Sequence, residues 1–310
     1  MTNPRHPVYI VSKNRSDSMI TSKSLSRMKV PHNIVIEPQD YEAYNKALDT
    51  FKIRDYVTLL VAPFSNHGDG PGRARNWAWD HAIASGAEYH WVMDDNISDF
   101  YRLHKNQRIR VESGCLFRAC EDFTERYENV PMSGLQYRFF CAANQSYPPY
   151  VTNTRIYSCN LIRNNCRHRW RGRYNEDTIL SLDILKDGDC TIQFNFFLQG
   201  KCATQTVSGG CTTEFYHSEI DFNEETGEAV KADNLVKVDQ KYNSVGTVAK
   251  SKMLADIHPD VARVVWKYDR WHHYVDYSKF KNQKLKLKPG IKLKNEVNNY
   301  GLYLIDNYKE

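Results

Sequence analysis

The chain has 310 residues, of which 41% are hydrophobic and 25% are charged, and its formal net charge is +5 at pH 7. This length permits one large domain or a domain with an extension, and no apolar run is long enough for a transmembrane helix. The N-terminal residues lack the apolar core of a signal peptide, so we expect a cytoplasmic protein. The eight cysteines include no C-x-x-C pair, which argues against a zinc ribbon or a thioredoxin-type redox motif.

The first half of the chain alternates short apolar runs with helical patterns. The pattern predicts strands at residues 7–12, 33–37, 56–61 and 89–94, and helices at residues 17–28, 40–51 and 73–85. A loop rich in turn residues, 65–72, precedes the third helix. This alternation predicts an α/β fold in which helices cover both faces of a mostly parallel sheet.

The second half of the chain is less regular. It predicts helices at residues 112–127, 176–186 and 250–268, and strands at residues 134–140, 154–162 and 191–198. Residues 221–246 are polar, acid-rich and poorly periodic, which is typical of a linker or an excursion. We therefore expect an α/β domain over residues 1–220 and a mainly helical C-terminal extension with a basic tail over residues 221–310.

Basic residues are concentrated in two clusters. Seven lysines and no acid lie between residues 279 and 294, so the rest of the chain is near neutral. The second cluster spans residues 163–173 and includes Arg167, Arg169 and Arg171, with Trp170 among them. Such patches attract polyanions because binding releases condensed counterions. A solvated basic tail is the alternative interpretation of the lysine run.

The strand ending at Asp94 is followed directly by Asp95 and Asn96. Ligands of open α/β sheets bind beyond the carboxyl ends of the strands, which is where these side chains should lie. Two adjacent carboxylates repel each other unless a cation lies between them, and oxygen ligands of this kind suit Mg²⁺ or Mn²⁺. A solvated acidic turn is the alternative, because acidic residues are common in turns.

Further polar residues follow the other predicted strands and begin the third helix. Together they predict a site that binds a nucleotide-sugar donor through Ser12, Lys13, Arg15, Glu37, Arg73 and Arg75. The two arginines begin a helix whose N-terminal dipole favours phosphate. Each residue taken alone is equally compatible with an ordinary polar loop or a surface arginine.

Two features downstream are candidates for catalysis and metal binding. Glu176 and Asp177 begin a predicted helix, where acids are favoured by the helix dipole, and a buried acid there can also serve as a general base. His217 follows a Gly-Gly pair and is a candidate metal ligand. A lone histidine is more often structural, although neutral imidazole is a common ligand.

Taken together, these residues resemble the GT-A class of glycosyltransferases, which have a Rossmann-like sheet and an Asp-x-Asp motif for a metal and a nucleotide sugar. The chain is similar more closely to the TET-associated glycosyltransferases of bacteriophages. The similar stretches are residues 9–13, 35–41, 72–76, 91–97, 170–178 and 258–261. The resemblance runs from about residue 7 to about residue 285. It implies a GT-A catalytic domain over residues 1–220.

The resemblance also implies roles for individual residues. Asp94 would face the ribose of a UDP-sugar, and Asp95 would hold Mn²⁺ or Mg²⁺, with His217 as a late metal ligand. Asn96 stands where the strict motif has its second acid. Asp177, or Glu176 beside it, matches the general base of inverting members.

The acceptor implied by the resemblance is a hydroxymethylated pyrimidine, 5-hydroxymethylcytosine, in phage DNA, which would place the protein in the host cytoplasm. Arg167, Arg169 and Arg171 would then contact phosphates, and aromatic residues such as Trp170 would stack on a flipped base. Three alternatives stay open from the sequence: a GT-A enzyme that acts on a protein or glycan, a DNA-binding module with a vestigial nucleotide site, and a nucleotidyltransferase.

Overall fold

The computed structural model of the chain describes residues 3–105, 107–142, 145–202, 220–222, 229–231, 246–267 and 270–291. Its centre is a ten-stranded mixed sheet flanked by helices. The α/β fold predicted from the sequence is therefore confirmed, and the arrangement is consistent with the GT-A class. Within the described ranges, no helix combines the length and the apolar character needed to cross a bilayer.

Four strands from the first half of the chain form the parallel part of the sheet. They are β1 (Val8–Val11), β2 (His32–Ile36), β3 (Val57–Val61) and β4 (Tyr89–Asp94), and they lie in the order β3-β2-β1-β4. The connections carry the helices α1 (Ile20–Arg27), α2 (Tyr41–Thr50) and α3 (Gly72–Ala84). The predicted alternation is confirmed here, and it brings the carboxyl ends of β1, β2 and β4 to one edge.

The rest of the sheet continues from β4 in the order β9-β7-β10-β5-β6. Its strands are β5 (Ile97–His104), β6 (Gln107–Arg110), β7 (Met132–Tyr137), β8 (Tyr150–Thr152), β9 (Cys159–Arg163) and β10 (Thr191–Lys201). Helices α4 (Cys115–Thr124) and α5 (Glu176–Lys186) belong to the same half of the chain. Strand β8 pairs with β10 off the main path. Among the described strands of this half, β7 and β10 pair in parallel, and the other pairs are antiparallel.

Several boundaries in this half differ from the prediction: helix α4 is three residues shorter at each end than the predicted helix 112–127, and strand β10 continues three residues beyond the predicted end at residue 198. Strand β7 ends at Tyr137, where the chain enters a 3-10 turn over Arg138–Phe140, so the predicted strand 134–140 is too long at its end. Strand β9 begins at Cys159, so the predicted strand 154–162 is too long at its start. Strands β5 and β6 form a hairpin in a stretch for which the sequence predicted neither a helix nor a strand.

The C-terminal segment contains β11 (Ile220–Phe222), β12 (Ala229–Lys231), α6 (Gly246–Ile257), β13 (Ala262–Lys267) and β14 (Arg270–Val275). The helix predicted at residues 250–268 is wrong beyond Ile257. Pro259 disfavours a helical conformation at the residue before it. The valine-rich run that follows pairs as a hairpin with residues 270–275, which are rich in aromatic residues and histidine. The predicted domain boundary after residue 220 falls inside β11.

The C-terminal segment shares a hydrophobic core with α5. Leu254 of α6 and Ala262 of β13 are buried against Ile179, Leu182 and Leu185 of that helix. Helix α5 also begins with the acidic pair predicted to be catalytic. The packing therefore places the C-terminal hairpin beside the edge of the sheet where the predicted site lies.

Candidate active site

A cavity of about 570 Å³ opens at the carboxyl ends of β1, β2 and β4. Ligands of open α/β sheets bind at this edge. Every residue predicted to bind the donor or to act as the base lines it: Ser12, Lys13, Arg15, Glu37, Arg73, Arg75, Asp94, Glu176 and Asp177. Asp95, predicted as a metal ligand, lines it as well. The structure thus brings together residues from five separate stretches of the sequence.

Asp94 is the last residue of β4, and its carboxylate lies between two cations. Nη2 of Arg75 donates to its Oδ1 at 2.6 Å, and Nζ of Lys201 donates to its Oδ2. Burial alone would raise the pKa of Asp94, but Lys201 and Arg75 hold it well below its usual range. Asp94 is therefore ionised near neutral pH, and its charge is balanced by side chains of the protein.

Asp95 turns toward the loop that follows β1. Nη1 of Arg15 donates to its Oδ1, and Oγ of Ser12 donates to its Oδ2 at 2.7 Å. The hydroxyl of Tyr44 lies 2.6 Å from Oγ of Ser12 and accepts from the backbone N–H of Arg15 at 3.1 Å. Burial raises the pKa of Asp95, against the opposing effects of Arg15 and Ser12. This network fixes the acidic turn to the first loop.

Thr21 of α1 holds the backbone of the same turn. Its Oγ1 donates to the carbonyl of Asp94 at 2.6 Å and accepts from the N–H of Ile97 at 2.8 Å. Its own N–H donates to the carbonyl of Asp95 at 3.2 Å. These hydrogen bonds fix the backbone of the turn, so the two carboxylates are held in defined positions.

Glu37 and Lys13 form a second polar group on the cavity wall. Nζ of Lys13 lies 3.3 Å from Oε2 of Glu37, and that oxygen also accepts from the backbone N–H of Asn66 at 2.9 Å. Burial opposes ionisation, but the bonds from Asn66 and Gln39 together with Lys13 lower the pKa of Glu37. An ionised acceptor beside a primary ammonium suits the hydroxyl and imino groups of a nucleoside.

The loop of residues 65–72 closes one side of the cavity. Gly70 has a φ of +85°, and a Cβ there would lie 2.5 Å from the carbonyl oxygen of Arg173. Arg73 pairs with Asp69 at the exposed end of this loop. The close approach at Gly70 therefore joins the loop to the segment that leads into α5.

Glu176 is the first residue of α5 and lies next to Arg75, with 3.2 Å between its Oε1 and Nη2 of the arginine. Burial raises the pKa of Glu176 to about 7, and the nearby charges of Asp177 and Asp94 act in the same direction, against Arg75. The guanidinium of Arg75 lies 4.6 Å from the ring centroid of Trp170. Arg75 thus connects the acidic turn after β4 to the start of α5.

Asp177 lies beside Glu176 in sequence but has different surroundings. Its Oδ1 accepts from the N–H of Thr178 at 2.7 Å and from the hydroxyl of that residue at 3.3 Å. Burial would lower the pKa of Arg155, whereas the charge of Asp177 contributes to raising it. Asp177 therefore interacts electrostatically with Arg155, while Glu176 contacts the arginine that binds Asp94.

Several residues of the cavity were missed by the sequence analysis. Lys201, at the end of β10, donates to Asp94 and also to Oγ of Ser158 at 2.8 Å, and its neighbours raise its pKa against the effect of burial. Arg155 lies on the same wall, and Lys250 and His272 reach the cavity from α6 and β14. A lysine that ends a strand carried no recognisable signal in the sequence, and neither did residues from a segment interpreted as an extension.

The described side chains contain no preformed cluster of metal ligands. Among them, no group of three histidine, cysteine, aspartate or glutamate residues could hold an ion. The carboxylates of Asp94 and Asp95 instead contact Arg75, Lys201 and Arg15. His217, predicted as a late ligand, lies outside the described residues. Oδ1 of Asn96 is buried and has no hydrogen-bond partner among the described atoms, so an acceptor for a donor hydroxyl or a cation is present.

The residues predicted to contact the acceptor lie before α5. Arg167 is exposed, Arg169 pairs with Asp80 at 3.0 Å, and both oxygens of Asp183 accept from Arg171. Trp170 is only 3% exposed and packs in a core cluster. The prediction that Trp170 stacks on a flipped base is therefore wrong for this conformation, because its ring is already covered by the protein.

A family model described as TET-Associated Glycosyltransferase matches residues 6–210, more than half of the chain. The match includes all ten strands of the main sheet and most of the residues that line the cavity. A search of curated proteins finds no match. The fold, the cavity and the extent of this match together establish that the chain belongs to the TET-associated glycosyltransferase family.

Proposed function

We propose that the protein transfers a sugar from a UDP-sugar to the hydroxymethyl group of 5-hydroxymethylcytosine in phage DNA. The observation that carries the proposal is the cavity at the carboxyl edge of the sheet, which combines a polar wall at Lys13 and Glu37, clustered cations and a carboxylate pair at the start of α5. The family supplies the reaction class. The acceptor rests on the resemblance to phage enzymes and on the basic surface around the cavity.

The donor would lie with its nucleoside toward β1 and β2 and its diphosphate toward β4. Glu37 and Lys13 offer an acceptor and a donor to the base or ribose. Lys201 and Arg75 already bind Asp94, and they would share their hydrogen bonds with the diphosphate. Cations aimed at the departing diphosphate stabilise the charge that develops there as the sugar leaves.

The acceptor hydroxyl is a poor nucleophile at neutral pH, so transfer needs a base. In the proposed step the hydroxymethyl oxygen forms a bond to C1 of the sugar, and the bond from C1 to the diphosphate oxygen breaks. Asp177 takes the proton of the hydroxyl. Glu176 is the alternative base, but its contact with Arg75 assigns it first to the donor side.

Whether sugar transfer requires a divalent metal is a separate part of the proposal. In the version with a metal, Asp95 and His217 hold Mn²⁺ or Mg²⁺, which would supply the charge stabilisation. The contacts of the described residues favour side-chain cations in that role. Calorimetric titration with UDP, in EDTA and in Mn²⁺, distinguishes charge stabilisation by a metal from charge stabilisation by side-chain cations. The Asp95→Ala variant tests whether Asp95 is a metal ligand.

The DNA would lie across the exposed arginines that precede α5. Arg169 forms an exposed ion pair with Asp80, which contributes only about 0–1 kcal/mol, so phosphate can replace that carboxylate. Arg171 is half exposed and donates to both oxygens of Asp183, whose side chain is only 11% exposed, so a phosphate would share this arginine with the carboxylate. Arg167 is exposed beside them. A groove next to the cavity passes Arg171, Asp80 and Met253, and it leads from this surface toward the loop at Gly70.

The deciding experiment is a transfer assay with a panel of UDP-sugars and two matched duplexes, one with 5-hydroxymethylcytosine and one with cytosine. We expect product only on the modified duplex. Donor hydrolysis without transfer to either duplex would move the acceptor to a protein or glycan. No binding of any nucleotide sugar would contradict the donor assignment, and DNA binding would then favour a vestigial site.

A further inference from the structure

An aromatic series leads out of the cavity to the protein surface. The rings of Tyr157 and Tyr137 are 4.2 Å apart between centroids, those of Tyr137 and Phe140 5.9 Å, and those of Phe140 and Phe139 5.5 Å. Tyr157, Tyr137 and Phe140 line the cavity. The series therefore connects the cavity with solvent.

The outer end of this series is unusually exposed for phenylalanine. Phe139 is 85% exposed and Phe140 is 49% exposed. Strand β7 ends at Tyr137, and the turn Arg138–Phe140 that follows carries both rings outward. A single exposed apolar residue needs no explanation, but two adjacent phenylalanines at the mouth of a cavity are typical of a binding surface.

Two exposed arginines flank the rings. Nη1 of Arg138 donates to the hydroxyl of Tyr101 at 3.0 Å, and its guanidinium lies 4.9 Å from that ring centroid. Nη1 of Arg108, in β6, lies 3.5 Å from the carbonyl oxygen of Arg138. Among the described residues, no carboxylate pairs with either arginine, so both positive charges are available to an anion. We call Arg108, Arg138, Phe139 and Phe140 the rim platform.

We propose that the rim platform binds the stretch of polynucleotide strand next to the acceptor nucleotide, with bases stacked on the two phenylalanines and phosphates on the two arginines. This inference rests on the proposed function and adds the surface by which the acceptor strand is held. Bases present a flat face that stacks on phenylalanine, and phosphates match guanidinium groups in charge and geometry. A neutral glycan would use the rings but leaves the arginines unexplained.

The geometry also gives the acceptor base a route to the site. A nucleotide turned out of its strand at Phe140 would pass along Tyr137 and Tyr157 toward Arg155 and the start of α5. Stacking on successive aromatic rings compensates for the stacking that the base loses on leaving its strand. The platform therefore favours a single strand, or a duplex that is locally opened, over an intact duplex.

The test is fluorescence anisotropy with a labelled single-stranded oligonucleotide that contains 5-hydroxymethylcytosine. Loss of one stacked base corresponds to about 1–3 kcal/mol, so Phe139→Ala should weaken binding by about 5- to 150-fold. Phe139→Tyr keeps the ring and should bind within about twofold of wild type. Tyr41→Ala is the matched control, because Tyr41 is an exposed aromatic on α2, away from the cavity.

Charge is tested on the same platform. Arg108→Gln should lower the salt dependence of oligonucleotide binding by about one phosphate contact, and Lys46→Gln, an exposed cation on α2, should not. Thermal unfolding checks that each variant is folded. If Phe139→Ala and Arg108→Gln bind like wild type, the platform assignment is wrong.

The transfer assay keeps this failure separate from failure of the proposed function. Transfer to modified DNA with an unchanged KM in Phe139→Ala would overturn the platform and leave the function standing. Wild-type protein that binds UDP but no oligonucleotide would overturn both the DNA acceptor and the platform. A protein or glycan acceptor whose KM rises in Phe139→Ala would assign the surface to that class instead.

Discussion

Asp177 and Glu176 are adjacent in sequence, but the structure gives them different partners. Glu176 contacts Arg75, which binds Asp94, whereas Asp177 accepts hydrogen bonds from Thr178 and interacts electrostatically with Arg155. We expect Asp177→Asn to lower kcat by about 100-fold or more, the usual scale for loss of a general base, with little change in UDP affinity. Steady-state kinetics on the modified duplex and calorimetry with UDP measure the two effects. A larger kcat loss in Glu176→Gln would assign the base to Glu176.

Glu176 also predicts a dependence of stability on pH. Its pKa is raised from an ordinary value of 4.5 to about 7, so the folded protein holds this proton more tightly than the unfolded chain does. The stability that it contributes is complete below the unfolded pKa and is lost as the pH rises toward 7. Glutamine mimics the protonated acid. The free energy of unfolding of Glu176→Gln, relative to wild type, should therefore rise between about pH 5 and pH 7 and then level off.

Chemical denaturation at several pH values tests this expectation. One pKa unit corresponds to about 1.4 kcal/mol, so the change should be well above experimental error. Glu42→Gln is a suitable control, because Glu42 is exposed on α2. A difference between Glu176→Gln and wild type that stays constant over this pH range would show that the acid is not buried as described.

Lys201 was not predicted as a site residue from the sequence. Its Nζ binds Asp94 in the cavity, where it is placed to bind a diphosphate. We expect Lys201→Met to weaken UDP binding in EDTA by about tenfold or more, since a charge-assisted hydrogen bond contributes about 1.5–3 kcal/mol. Lys201→Arg keeps the charge and should lose less. Wild-type protein that binds UDP only with Mn²⁺ would contradict the assignment of the charge to this lysine.

At the scale of elements, the loop of residues 65–72 makes a close backbone contact with the segment before α5. A Cβ at Gly70 would lie 2.5 Å from the carbonyl oxygen of Arg173, and the φ of Gly70 is +85°. Gly70→Ala should move the loop away from the segment before α5. We expect a loss of about 1–3 kcal/mol in stability and a higher KM for the donor.

Gly86→Ala provides the matched control for that prediction. Gly86 has a φ of +79°, but a Cβ there would meet nothing within 4 Å. It therefore reports the cost of the backbone conformation without the clash. If the two variants have equal stability and equal donor KM, close contact at Gly70 is not what holds the loop.

The elements show which parts of the fold the sequence could predict. The β1–β4 region follows simple periodicity, and its helices and strands were predicted to within a few residues. The strand end at Tyr137 was missed because apolar residues continue through Phe140, and composition does not distinguish a buried strand from a turn that exposes its aromatics. The same ambiguity made residues 262–267 look helical, until pairing with β14 decided their conformation.

The site residues that could be predicted are those that follow predicted strands. Polar residues placed directly after β1, β2 and β4 all line the cavity, because parallel strands align their carboxyl ends. Lys201, Arg155 and His272 were not predictable, since β10, the segment before β9, and β14 reach the same place through long-range pairing. Trp170 was misassigned because exposure of an aromatic residue depends on packing that its neighbours in sequence do not reveal.

At the scale of the whole molecule, the described part of the lysine run is not a free tail. The N–H of Lys286 donates to Oδ1 of Asn129 at 2.8 Å, and its carbonyl accepts from the N–H of Glu128 at 2.9 Å. Leu287 pairs with Tyr127 in an isolated bridge. Phe280, at the start of the run, is 6% exposed in the core shared with α5. Deleting the run from residue 279 would therefore damage the fold, so substitutions are the better test of its charge.

The two basic clusters should contribute differently to the salt dependence of DNA binding. Arg167, Arg169 and Arg171 precede α5, and the groove at Arg171 continues toward the cavity, so their contacts with phosphate should be direct. Changing all three to glutamine should lower the slope of log K against log salt by about three units, near one for each lost contact. Lys281 and Lys284 are both exposed, and changing them to glutamine should also lower DNA affinity. The slope should change less for each charge removed, because charges that do not contact the DNA act mainly through screened attraction. Filter binding to the modified duplex over a range of salt concentrations measures both slopes. Equal losses per charge at the two clusters would mean that the arginines contribute only general attraction and do not mark the path of the DNA.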